Sequence, residues 1–171
     1  MTEERKTYLQ HAFNYGSILG FFSFCWYLTG FYLGFDKHPM IYDNIYFFIS
    51  ISIIIAMMIS YRRMQENQTV KFSRFFTIGF VATTICALFI SAFAIIRIAV
   101  LDPYFIYTFA SSASQYLQEY NITYNIDSPS LINVFKISYV IANFFVCILN
   151  NIIYILLISA FMTLNNRIYN K

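Results

Sequence analysis

Four stretches of this chain run for about twenty residues or more without an aspartate, glutamate, lysine or arginine: 12–35, 44–61, 75–96 and 137–166. A helix rises 1.5 Å per residue, so about twenty such residues cover the roughly 30 Å of hydrocarbon in a bilayer. This recurrence predicts an all-α integral membrane four-helix bundle, a single membrane domain over 1–171 with spans near 12–35, 42–61, 75–98 and 135–163. The last run is long for one crossing, so a tilted helix or a projecting stub is expected there.

Composition enters as a check on the solvent. Of the 171 residues 59% are hydrophobic and 11% charged, against about 25% charged in soluble domains. A soluble monomer of this make-up would show large apolar patches, which soluble proteins avoid. The net charge of +3 is small and dispersed, so the lipid bilayer and not a nucleic acid is the expected partner.

Basic residues in short loops resist translocation and so set orientation. Arg5 and Lys6 precede the first span, Arg62, Arg63, Lys71 and Arg74 separate the second from the third, and Arg167 and Lys171 follow the fourth. Lys37, Arg97 and Lys136 remain for the other side. The split fits four spans with both termini cytoplasmic. Arg5 and Lys6 before an apolar run also raise the question of a signal peptide, but no A-x-A-like site closes the run, and a retained helix is expected. Abundant Ile, Asn, Phe and Tyr suggest a low-GC bacterial genome, so the multi-pass chain is expected in a bacterial cytoplasmic (inner) membrane. Tyr42, Tyr61, Tyr104, Tyr139 and Tyr169 lie near the span ends, where amphipathic rings favour the headgroup level.

Between the third and fourth spans, Asp102-Pro103 reads as a helix opening, with the Asp side chain capping free N–H groups. Phe105, Ile106, Phe109, Ala113, Tyr116, Leu117 and Tyr120 then recur at three and four. This predicts an additional amphipathic helix over about 103–120, too polar to span and without the basic face that docks on anionic lipid. A structural cover or a partner-binding face is the expectation. Asn121-Ile122-Thr123 matches a glycosylation sequon, which matters only in a eukaryotic secretory pathway.

Inside the spans the glycines form two G-x-x-x-G pairs, Gly16 with Gly20 and Gly30 with Gly34, a spacing that lets another backbone approach closely. Gly79, Thr83, Ala87 and Ser91 make a second stripe of small residues that could receive the first span. Tyr139, Asn143, Cys147, Asn150 and Tyr154 fall along one face of the fourth span. Burying an amide without a partner costs several kcal/mol, whereas an interhelical hydrogen bond contributes about 0.6–2 kcal/mol. Asn143 and Asn150 therefore require protein or trapped water, with structural glue or a polar path as the two readings. Arg97 is the one charge that could belong to a span; it can snorkel to the interface, and Asp102 is placed to neutralise it.

Proton-coupled pumps place Asp, Glu or His near the midplane, and the four runs carry no acid. Asp36, Asp43, Asp102, Glu119 and Asp127 read as outer-loop residues. His11 and His38 are isolated and read as interfacial or loop residues. Cys25, Cys86 and Cys147 fall inside spans without a C-x-x-C pair, so neither a disulfide framework nor a thiol metal site is expected. No G-x-S-x-G, H-E-x-x-H or phosphate-cradling glycine loop is present. No enzyme activity, cofactor or metal is expected.

Asn14-Tyr15-Gly16 with Gly20, then Lys71-Phe72-Ser73-Arg74-Phe75-Phe76 with Gly79, and Asp102-Pro103-Tyr104 carry a resemblance that covers nearly the whole chain. In these features the sequence resembles a bacterial membrane family, domain-of-unknown-function family 4199, small proteins with four spans and an outer helical segment between the third and fourth. The resemblance implies that architecture and no activity or site residue; the Asn143 and Asn150 pair stands outside the pattern. The functional expectation is a structural or partner-binding envelope component, docking an envelope protein or forming a homo-oligomer. The alternative is a small-solute channel or transporter subunit with Asn143, Asn150 and Tyr154 on its path.

Overall fold

The structure, a computed structural model, describes residues 3–35, 39–65, 70–118 and 129–169. All secondary structure among the described residues is helical: α1 (Glu3–Leu33), α2 (Pro39–Met64), α3 (Phe72–Ile96), a π-helical turn (Arg97–Leu101), α4 (Phe105–Gln118) and α5 (Pro129–Tyr169). Four segments are long and apolar enough to cross a membrane: Thr7–Leu33, Met40–Met64, Phe72–Leu101 and Ser130–Leu164. His38 and the Asn121-Ile122-Thr123 triplet lie outside the described residues.

Local chemistry sets the boundaries. Gly34 follows α1 at φ +68, the left-handed conformation that ends helices and that glycine adopts without a Cβ penalty. Pro39 opens α2, where a fixed φ suits the first turn and the missing N–H costs nothing. Arg62 and Arg63 occupy the last turn of α2, at the negative end of the helix dipole. At the end of α3 the Asp102 N–H reaches back five residues to the Arg97 carbonyl at 2.7 Å, closing the π turn. The Asp102 Oδ1 accepts a hydrogen bond from the Phe105 N–H at 3.0 Å. That carboxylate is the expected cap, but Pro103 and Tyr104 form a turn and α4 begins only at Phe105. With no glycine and no proline after Pro129, α5 continues unbroken for 41 residues, well beyond the expected 135–163.

α3 is central, packing extensively on both α1 and α5. Gly16 meets Ala82, Gly20 meets Phe89 and Phe24 meets Phe93, so α1 and α3 run parallel. α2 runs antiparallel to α1, as His11 meets Met57 and Ser23 meets Tyr46. The main core gathers Leu19, Ile54, Met57, Met58, Tyr61, Phe75, Ile78, Ala82, Cys86 and Ile155. α4 lies on the first turns of α5 in a separate small core of Ile106, Ala110 and Ile132, with Phe135 and Tyr139 at its edge. Outward positions are also apolar, among them Phe21, Phe48, Leu88, Leu149, Leu157 and Phe161. Such a surface matches hydrocarbon and would be a liability in water.

Two expectations change here. Among the described residues a Cβ at Gly34 would meet nothing within 4 Å, so its role is the helix stop and not a helix seam. Gly79 does not receive α1: a Cβ there would meet Ile155 of α5 and Met58 of α2, and Gly16 instead abuts the Ala82 backbone. Ala87 and Ser91 are buried on α3. Tyr61 and His11 lie near the ends of their span-length segments but point between helices: both are buried, with the His11 Nε2 at 3.0 Å from the Met57 carbonyl oxygen and its ring between Tyr15 and Tyr61.

Candidate functional site

A half-enclosed cavity of about 300 Å³ opens within the bundle, where α2 and α5 touch only sparsely. Asp43, Tyr46, Phe47 and Ser50 of α2 form one wall, and Asn143, Val146, Cys147, Asn150, Asn151 and Tyr154 of α5 the other; Tyr27 of α1 and Ile90 of α3 close the back. The two walls arise from helical spacing: 43, 46, 47 and 50 repeat at three and four, as do 143, 147, 150 and 154.

Its polar groups are held in place by their own helices and by a buried node. The Asn143 Nδ2 donates to the Tyr139 carbonyl at 2.8 Å, and the Asn151 Nδ2 to the Cys147 carbonyl at 2.7 Å. Each such bond satisfies one amide proton and leaves the rest of the amide for the cavity. At the back, the Ser23 hydroxyl donates to the Leu19 carbonyl at 2.7 Å and also touches the Tyr46 hydroxyl at 2.8 Å and the Cys86 Sγ at 3.2 Å. This node fixes the Tyr46 ring, which Tyr27 supports at 5.3 Å between centroids. The buried Ser50 hydroxyl lies beside Tyr46 yet outside hydrogen-bonding geometry. Tyr154 packs edge-on against Phe47 at 4.8 Å, which braces the far end.

Asp43 is a correction to the sequence reading. It stands in the second turn of α2, inside a span-length apolar segment, and not in an outer loop. Pro39 starts the helix upstream of it, so the carboxylate projects from a helix wall onto the cavity. It also borders a second, adjoining pocket of about 310 Å³ that contains Tyr42, Phe93 and Arg97. The Arg97 guanidinium carbon lies 4.1 Å from the Phe105 ring centroid, and Phe105 packs on Tyr139 at 5.1 Å. Arg97 therefore joins the ends of α3, α4 and α5 and lines the adjoining pocket, not the deeper cavity.

Of the intramembrane polar candidates, the structure gathers Asn143, Asn150 and Tyr154 on one wall and leaves Arg97 outside it. Among the described residues, no hydrogen bond from Asn143 or Asn150 crosses to another helix: Asn143 bonds its own backbone, and Asn150 is exposed with no hydrogen bond. Sequence reading missed Asn151, one residue past Asn150, along with Asp43, Tyr46 and Ser50. Their three-and-four spacing on α2 was the available signal. The packing candidates Gly16, Gly20 and Gly30 lie on α1 against Ala82, Phe89 and Tyr42 respectively, none of them lining the deeper cavity. An apolar groove of about 630 Å³ between α1 and α2, containing Phe22, Cys25 and Ile45, lies beside Trp26 and Tyr42, whose rings stack at 4.5 Å.

Fold and site thus define a class: a chain whose described residues are all-helical in secondary structure, with four membrane-length apolar helices and a cavity of mixed polar and apolar lining between them. Within that class the chain belongs to the family described as Protein of unknown function (DUF4199), whose model matches residues 14–166. No curated protein and no solved structure gives a significant match.

Proposed function

We propose that this chain is a non-enzymatic, multi-pass inner-membrane protein of four transmembrane helices whose cavity receives a small polar solute, as a channel or transporter subunit. The observation that carries the reading is the cavity wall itself. Asn143, Asn150, Asn151, Ser50 and Asp43 line one cavity between membrane-length helices, and an unsatisfied polar group within hydrocarbon costs several kcal/mol. Intramembrane polar residues face protein, water or a transported species. At about 30 Å³ per water, the cavity holds on the order of ten waters or a solute of several heavy atoms. Amides and phenols that donate and accept without a paired acid and base suit binding better than bond cleavage. Both termini are assigned to the cytoplasm by the distribution of basic residues. α4 is read as an amphipathic cover on the outer face: it buries Ile106, Ala110 and Ser114 and exposes Tyr107, Thr108, Ser112 and Gln115.

The test is solute flux in proteoliposomes, with urea and glycerol as probes and light scattering as the readout. Replacing Asn143 and Asn150 by Leu should abolish protein-dependent flux while circular dichroism and gel-filtration behaviour stay unchanged. Flux that survives in a folded double variant removes the proposal. A structural or partner-binding envelope role is the second reading, favoured by the exposed face of α4; mild crosslinking that recovers a specific envelope protein through α4 would support it.

A further inference from the structure

We infer that the cavity selects cations, taking a small organic ammonium or amine, with Asp43 as the selecting charge. The inference rests on the solute-binding reading and specifies its substrate class. Asp43 is the only charged side chain on the cavity wall among the described residues, and no lysine, arginine or histidine lines it. The remaining surface is suited to the same task. Tyr27, Tyr46, Phe47 and Tyr154 contribute aromatic rings, whose negative faces attract cations, and Asn150 adds an exposed amide to the lining. A carboxylate beside aromatic walls is the chemistry that recognises ammonium groups, while an anion would meet repulsion with no compensating donor charge. Arg97 borders the adjoining pocket that Asp43 shares, and its guanidinium is engaged over the Phe105 ring. Asp43 stands between the two pockets, so a cation moving from one to the other passes it.

Cys147 supplies a native probe, since its thiol lines the cavity. Proteoliposomes of the full chain are treated with three methanethiosulfonates carrying trimethylammonium-ethyl, hydroxyethyl or sulfonato-ethyl groups. The adduct on Cys147 is quantified by peptide mass spectrometry, each rate normalised to that on a free small thiol. The cationic reagent is expected to lead the neutral one by about fourfold to sixteenfold, the effect of one unit charge roughly 10 Å away at an effective dielectric of 20–40, with the anionic reagent slowest. Asp43→Asn should collapse the ordering, and Asp43→Glu should preserve it, which separates lost charge from lost fold. Equal normalised rates for all three reagents would overturn cation selection and leave the solute cavity standing. No reaction at Cys147 with any reagent would sink both.

Discussion

Replacing Gly16 by alanine tests the α1–α3 seam at its tightest point. A Cβ at Gly16 would lie 2.8 Å from the Ala82 Cα, 2.9 Å from the Ala82 carbonyl oxygen and 3.1 Å from the Ile85 Cβ. Comfortable carbon contacts begin near 3.5 Å, so the two helices must part locally by about 0.7 Å. Two of the three obstructing atoms are backbone and cannot rotate away. A gap of that size forfeits a quarter to a half of the dispersion well for each neighbouring atom pair, and overpacking of this kind typically costs about 1–3 kcal/mol. Against it stands the gain of about 1 kcal/mol from replacing glycine with alanine inside a helix. The net expectation is a loss of about 0–2 kcal/mol, toward the upper end because the obstructing Ala82 atoms are backbone. Gly20→Ala is the internal control: the three atoms nearest its Cβ would all belong to the Phe89 ring, and a ring can swing aside, so the net change should stay within about 1 kcal/mol. Unfolding midpoints in mixed micelles titrated with a denaturing detergent, followed by circular dichroism, measure both. A Gly16→Ala protein as stable as the parent, or a Gly20→Ala protein less stable than Gly16→Ala, would refute the close-backbone argument.

His11→Leu should cost about 1–2 kcal/mol in the same titration, because it removes the buried contact to the Met57 carbonyl and the ring packing between Tyr15 and Tyr61; an unchanged midpoint counts against that role. Asp102→Ala should lose about 1 kcal/mol of capping and speed amide hydrogen exchange in the first turn of α4, while Asp102→Asn keeps slow exchange. Gly34→Ala has open space around its Cβ but a left-handed backbone, so a loss of about 1–2 kcal/mol is expected, smaller for Gly34→Asn; a stabilising alanine would show that α1 ends otherwise.

The membrane-length helices were legible because charge is so costly in hydrocarbon that its absence marks the runs. The same rule hid Asp43. A carboxylate at the edge of a charge-free run reads as loop, and only the helix start at Pro39 brings it into the wall. Helical spacing placed Asn143, Asn150 and Tyr154 together, but could not say which neighbour each amide would choose. Asn143 bonds its own Tyr139 carbonyl, and it is Asn151, not Asn150, that repeats the pattern at Cys147. Both choices depend on rotamer and on where α2 lies, which one sequence does not encode locally. The glycine pattern was read as two equivalent seams, yet Gly30 meets the Tyr42 ring and Gly34 is a turn. Small size is visible in sequence, whereas what fills the space beside it is not. His11 and Tyr61 show a related limit: position near the end of an apolar run says nothing about whether a ring points outward or between helices.

At about 1.5 Å per residue the 41 residues of α5 extend about 60 Å, twice the thickness of the hydrocarbon layer. Its opening turns carry α4 through Ile132, Phe135 and Tyr139, and Asn143, the first α5 residue on the cavity wall, comes one turn after Tyr139. With no glycine and no internal proline, this helix has no built-in joint. A displacement of α4 is thus passed along a stiff mast toward Asn143, so the small helix and the chamber wall are mechanically one piece.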